Sequence, residues 1–189
     1  MALTRLGATN ITNSTIANVT DLPFGLTNAG KVLQVQATQL QAQFATTSGS
    51  FVDVTDMSLT ITPSSTSSKI LLLCNTNTYN NTSSAYFNMR WKRAISGGAT
   101  TTFGDSTYGL TFARAAVAND FWGGVGMTYL DSPSTTSEIT YQVQASSSGG
   151  STINIGVNSS NTNSIFALEI LGWWVQLLKQ YKKLIQTHK

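Results

Sequence analysis

The sequence predicts an all-β protein: a β-sandwich or jelly roll of about ten short antiparallel strands, with an extended N-terminal arm and a C-terminal amphipathic α-helix. Three observations predict it. Apolar and polar residues alternate with period two through most of the chain. Clusters of Ser, Asn, Gly and Pro interrupt that alternation at short intervals. One run, Lys69 to Cys74, is apolar on both faces.

Three zones follow along the chain. Residues 1–30 scatter Ile11, Ile16, Val19, Leu22 and Phe24 among Asn and Thr with no sustained helical period, which predicts an extended arm. Such an arm has no core of its own, so its apolar side chains must lie on the domain or dock on a partner. Residues 31–171 read as the sandwich. Met57, Leu59 and Ile61 alternate with Ser58, Thr60 and Thr62, and Phe87, Met89 and Trp91 alternate with Asn88, Arg90 and Lys92. Ile139, Tyr141, Val143 and Ala145 form a third such row, and Ile153, Ile155 and Val157 a fourth. Each places one strand face on a core. The KILLLC run predicts a central strand covered on both sides, or a strand at a subunit contact. Turns are predicted at Pro63 to Ser68, Asn80 to Ser84, Ser96 to Gly98, Asp131 to Ser137 and Ser146 to Gly150. From Gly172 to Lys189 the period changes to that of a helix. Trp174, Leu177, Leu178, Tyr181, Leu184 and Ile185 fall on one stripe, opposite Gln and Lys. That stripe needs a surface to cover, because an isolated helix of this length is marginal in water.

Composition bounds the function. A chain of 189 residues holds one core, and its charged fraction of 10% is far below the usual quarter, while Ser, Thr and Asn fill 64 positions. Hydrophobic content of 41% predicts a folded chain. The net charge of +3 arises from Lys179, Lys182, Lys183 and Lys189; residues 1–171 carry seven basic and eight acidic residues. Nucleic-acid binding is therefore not expected. The opening MALTRLGATN lacks the apolar block of a secretory signal, and no stretch approaches 18 uninterrupted apolar residues, so neither secretion nor a membrane partner is expected. Six Asn-x-Ser/Thr sequons are what a chain so rich in these residues contains by composition, and no glycosylation is expected. Cys74 is alone, which excludes an internal disulfide and predicts a buried thiol.

The inventory is poor for catalysis. The only histidine, His188, is penultimate, and one Cys with one His cannot complete a zinc site. Asp53 and Asp56 make a weak calcium match and read as solvated strand-edge carboxylates. Asp105, Asp120, Asp131 and Glu138 lie in or beside turns, where solvated or capping roles are the default, and no pair is marked out for glycoside hydrolysis. The glycine pairs lack the Lys-Ser or Lys-Thr of a phosphate loop. In Arg90 to Arg93, strand alternation sends Arg90 and Lys92 one way and Trp91 and Arg93 the other, with Trp91 in the core. No cofactor, metal or catalytic residue is predicted. Aromatics beside turns, Tyr79 and Tyr108, are the candidates for a receptor-facing or sugar-stacking surface.

Four segments carry a resemblance: MALTRLGATNIT (Met1 to Thr12), SFVDVTDMSLTITPSSTSSKILLL (Ser50 to Leu73), YLDSPSTTSEITYQVQ (Tyr129 to Gln144) and FALEIL (Phe166 to Leu171). Together they resemble a loosely defined group of structural proteins from tailed phages of marine and freshwater bacteria, described as tail fibres or virion appendage proteins. The resemblance covers about residues 1–171. It implies a jelly-roll domain, a trimer, a short virion-binding arm at the N-terminus and no enzyme residues. The tail from Gly172 departs from it, so the helix stripe carries no role from the family.

The expectation is thus a non-enzymatic virion structural protein on the particle exterior. It would be a homotrimer that contacts other capsid or tail proteins through its arm and offers loops to host surface polysaccharide or another receptor. Three alternatives stay open: a capsid decoration or cement protein, a carbohydrate-active enzyme acting on host polysaccharide, and a lectin-like module.

Overall fold

A computed structural model describes residues 31–40, 42–80, 86–114, 121–147, 150–156 and 163–171. The predicted arm, with Ile11, Ile16, Val19, Leu22 and Phe24, and the predicted helix stripe, Trp174, Leu177, Leu178, Tyr181, Leu184 and Ile185, lie outside these residues. Among the described residues there are eleven strands: β1 (Val32–Gln39), β2 (Phe44–Thr46), β3 (Val52–Ile61), β4 (Lys69–Asn80), β5 (Tyr86–Ile95), β6 (Thr100–Phe103), β7 (Thr111–Arg114), β8 (Phe121–Asp131), β9 (Ile139–Ser147), β10 (Ile153–Ile155) and β11 (Ser164–Ile170).

The strands form two antiparallel sheets. In the first, β4 is the hub. β8 runs along one side of it, from Asp131 opposite Ile70 to Phe121 opposite Asn80. The other side is shared by β11, which pairs with residues 69–75, and β10, which pairs with residues 78–80. Outside these lie β1 against β11 and β2 against β10. The second sheet runs β3-β9-β5, and the far edge of β5 is divided between β7 and β6. Strands distant in sequence are thus interleaved: β1-β11-β4-β8 in one sheet, and β3-β9-β5 followed by β6 and β7 in the other. That is the strand order of a jelly roll.

The period-two rows fill the space between the sheets. Met57, Leu59, Ile61, Phe87, Met89, Trp91, Ile139, Tyr141, Val143, Ala145, Ile153 and Ile155 are all buried, as are Ile70, Leu72 and Cys74 on the inner face of β4. Burying each large apolar side chain contributes about 1.5–3 kcal/mol, which makes this core the main stabilising term. One device departs from simple alternation. The pairing of β3 with β9 is interrupted between Asp53 and Ser58, and Asp56 there adopts φ 61°. This bulge turns both Val54 and Met57 inward although they are three residues apart. Gln142 Nε2 fills the interruption by donating to the carbonyls of Val54 (2.7 Å) and Met57 (3.1 Å).

Candidate assembly face and the polar locks behind it

The outer face of the β1-β11-β4-β8 sheet is apolar across four strands. Leu130 of β8 lies opposite Leu71 of β4, Leu71 opposite Leu168 of β11, and Leu168 opposite Val35 of β1. A second row joins Thr128, Leu73, Phe166 and Ala37, and at the end of the sheet Ile170 lies opposite Val32. Directly opposed side chains on one face stand about 4.5–5.5 Å apart, so these rows make one continuous surface. Much of it meets water: Leu130 is 54% exposed, Val35 53%, Val32 45% and Phe166 36%. The doubly apolar β4 run is therefore the centre of its sheet, as its sequence predicts. Its outer leucines are only partly covered.

Behind this face sits a carboxylate that the sequence reading did not single out. Glu169 follows Ile165 and Ala167 in the inward row of β11 and is fully buried. Its Oε1 accepts from Ser64 N (2.7 Å), Ser64 Oγ (2.6 Å) and Ser68 Oγ (2.6 Å), and its Oε2 accepts from Gln34 Nε2 (2.7 Å). Burial alone would push this carboxyl up, but the donors from Ser64, Ser68 and Gln34 outweigh it and hold it below its ordinary value. The predicted Pro63–Ser68 turn is thus more than a turn. Its hydroxyls bind β11, and Gln34, which also donates to the carbonyl of Thr62 (2.7 Å), ties β1 into the same group.

A second lock closes the space between the sheets. Arg93 Nη1 donates to both oxygens of Asp131, at 2.8 and 2.9 Å, and Tyr141 Oη donates to Oδ2 at 2.5 Å. Burial, followed by the hydrogen bond to Asp131, pushes the Tyr141 hydroxyl up, so it stays a donor. Phe103 and Tyr129 stack alongside with ring centroids 4.4 Å apart, and the Arg93 guanidinium lies 5.4 Å from the Phe103 ring. Of the solvated or capping roles expected of Asp131, the solvated one is corrected: Asp131 accepts from Ser132 N (2.7 Å) where the chain leaves β8, but its side chain ends β8 on the inward side. Asp105 does cap, accepting from Thr107 N (2.7 Å) and Tyr108 N (2.8 Å), and Glu138 is exposed. Asp120 lies outside the described residues. Asp53 is not a bare edge carboxylate either, since it pairs with Lys92 and accepts from Gln144 Nε2 at 2.7 Å.

The two receptor-facing candidates are not brought together. Tyr79 is half-buried near the end of β4 in the first sheet. Tyr108 stands 47% exposed in the β6–β7 connection of the second sheet, beside Phe112, which is 58% exposed. Among the described residues no three His, Cys, Asp or Glu side chains group as metal ligands.

No family model matches the sequence, and no curated protein matches it. Among solved structures, the chain is similar to a structure of the infectious bursal disease virus Gx strain, with TM-score 0.37 and 11% identity over 75% of this chain and 33% of that one. The VP2 subviral particle of the same virus gives 0.34 and 11% over 74% and 38%, and the T13 particle 0.32 and 13% over 74% and 36%. The chain spans about a third of the length of these proteins. Scores of this size do not establish a shared fold, and the jelly-roll order stands on the strand pairings alone.

Proposed function

We propose that this chain is a non-enzymatic structural protein of a virus particle. It is a jelly-roll subunit that assembles as a homotrimer through the outer face of the β1-β11-β4-β8 sheet and stands on the particle exterior as a fibre-type appendage contacting the host surface. The observation that carries the reading is the apolar outer face. Its four most exposed side chains leave about two side chains' worth of apolar surface in water, so covering them is worth roughly 3–6 kcal/mol per subunit. A solvated sheet in a monomer would alternate to polar residues on this face, as the second sheet does with Arg90 and Lys92. The particle setting and the trimer rest on the sequence resemblance, because jelly rolls serve capsids and lectins alike and fold alone does not choose between them.

In this reading the arm of residues 1–30 anchors the subunit to another virion protein, and the Trp174–Ile185 stripe packs against protein. The test is the position of the chain in a density map of the whole particle. Three copies meeting through Val35, Leu130 and Phe166 are expected on the outer surface. Isolated copies with that face turned to solvent would overturn the proposal.

A further inference from the structure

The second sheet presents a different surface, and it shares no residue with the assembly face. Tyr86 opens β5, Phe112 lies in β7 beside it, and Tyr108 comes from the intervening connection. Their ring centroids form a triangle of 5.9 Å (Tyr86–Tyr108), 6.2 Å (Tyr86–Phe112) and 5.7 Å (Tyr108–Phe112). Apolar side chains so exposed on a folded surface mark a contact when they cluster.

The cluster is held in place from below. Asp105 and Gly109 exchange backbone hydrogen bonds of 2.9 Å each, and Leu110 N donates to the Met89 carbonyl at 2.8 Å. A Cβ on Gly109, which has φ 71°, would fall 2.2 Å from that carbonyl oxygen. Only glycine lets the connection lie so close to β5, and its tight closure fixes where Tyr108 points.

Polar groups surround the rings. Arg114 lies with its guanidinium 5.2 Å from the Tyr86 ring and has no carboxylate partner among the described residues. Arg90, on the same face of β5 as Tyr86, lies 4.0 Å from the Phe51 ring and donates through Nε to Gln144. Between Tyr86 and Arg90 sits Asn88, opposite Phe112, and almost wholly buried. Its Nδ2 donates to Ser146 Oγ at 3.3 Å, but its Oδ1 has no partner. That acceptor lies below the surface, so Asn88 supports the patch from beneath and does not itself meet a ligand.

We infer that Tyr86, Tyr108, Phe112, Arg90 and Arg114 form a binding site for an acidic glycan. The C–H face of a pyranose packs on the exposed rings, and a uronate carboxylate meets the guanidiniums. A cationic ligand is disfavoured because Arg114 already lies over the Tyr86 ring and has no carboxylate partner among the described residues. The inference deepens the host-contact part of the proposed function and rests on it for biological meaning only. Binding itself is testable whether or not the chain assembles.

The experiment is titration calorimetry of the full chain with oligogalacturonate and with oligomannuronate, using a neutral dextran oligosaccharide for comparison. The wild type should bind at least one uronate oligomer more tightly than dextran. Tyr108→Ala and Phe112→Ala, both at exposed positions, should each weaken that binding about tenfold or more. Arg114→Gln should remove the preference for the acidic sugar and leave the folded state intact by circular dichroism. Three results would overturn the site: no binding to either uronate oligomer, wild-type affinity in both aromatic variants, or a change of oligomeric mass in those variants, which would make the patch a protein contact. Unchanged assembly in variants of the other sheet, with glycan binding retained, would count against the proposed function and leave this site standing.

Discussion

Glu169→Gln removes one charge from the centre of the lock behind the assembly face and changes almost nothing in shape. The carboxylate takes four hydrogen bonds of 2.6–2.7 Å, three on Oε1 and one on Oε2. An amide can offer an oxygen to only one of those two groups. Placed toward Ser64 and Ser68, it keeps three bonds but weakens them from charge-assisted to neutral, a loss of about 1 kcal/mol each. Its NH2 then faces the NH2 of Gln34, and Gln34 must turn over and give up its bond to the Thr62 carbonyl. Burying a neutral amide is cheaper than burying a carboxylate, which returns part of the loss. A net destabilisation of about 2–3 kcal/mol is expected at pH 7. The variant also removes a pH dependence. Folding lowers the carboxyl below its ordinary value of 4.5, so its stabilisation is fully present above that pH and is lost as pH falls through the folded value. Urea unfolding followed by circular dichroism, at fixed protein concentration, reads both effects. The midpoint should fall with the m-value unchanged, and the loss of stability on acidification should be shallower in the variant. Equal midpoints at pH 7, or identical acid profiles, would refute the reasoning.

Asp131→Asn should cost about 3–5 kcal/mol, because it leaves the Arg93 guanidinium buried without its countercharge, whereas the triple variant Arg93→Met, Asp131→Leu and Tyr141→Phe, which also removes the hydroxyl that donates to Asp131, should recover most of that loss in the same urea assay. A triple variant as unstable as Asp131→Asn would show that the buried group is not the source. The Cys74 thiol, pushed up to about 12 by burial, should react with an aromatic disulfide reagent at pH 8 only as fast as the protein unfolds; labelling within seconds under native conditions would contradict its place in the core. Gly109→Ala forces a Cβ into the Met89 carbonyl and should destabilise the chain by about 1–3 kcal/mol, read as a lower thermal midpoint, and an unchanged midpoint would show that the β6–β7 connection is not closed as described.

Most of the strands were legible because period two is a local signal. The rows from Met57, Phe87, Ile139 and Ile153 needed only neighbouring residues to show which face is buried. The bulge in β3 was not legible that way, since the spacing of Val54 and Met57 breaks the alternation and depends on the backbone of Asp56. Glu169 left one signal, an acid in the inward row of FALEIL. Its partners are a turn 101 and 105 residues earlier and a glutamine 135 residues earlier, so no local pattern joins them. Asp131 was hidden by its own turn sequence. The assembly face was half legible. Leu71 and Leu73 announce an apolar outer side for β4, but Leu130, Val35 and Phe166 join them only because jelly-roll pairing brings strands from opposite ends of the chain side by side. Phe112 carries no local mark of exposure, being apolar in an apolar stretch.

Sedimentation equilibrium of the full chain at micromolar concentration, beside a Val35→Asp and Leu130→Asp double variant, tests the assembly claim most directly. Both positions are more than half exposed, so the charges should not disturb the core. The wild type should sediment at three times its chain mass of 20.2 kDa, and the double variant as a monomer with unchanged circular dichroism. A monomeric wild type, or a double variant that stays trimeric, would contradict the account.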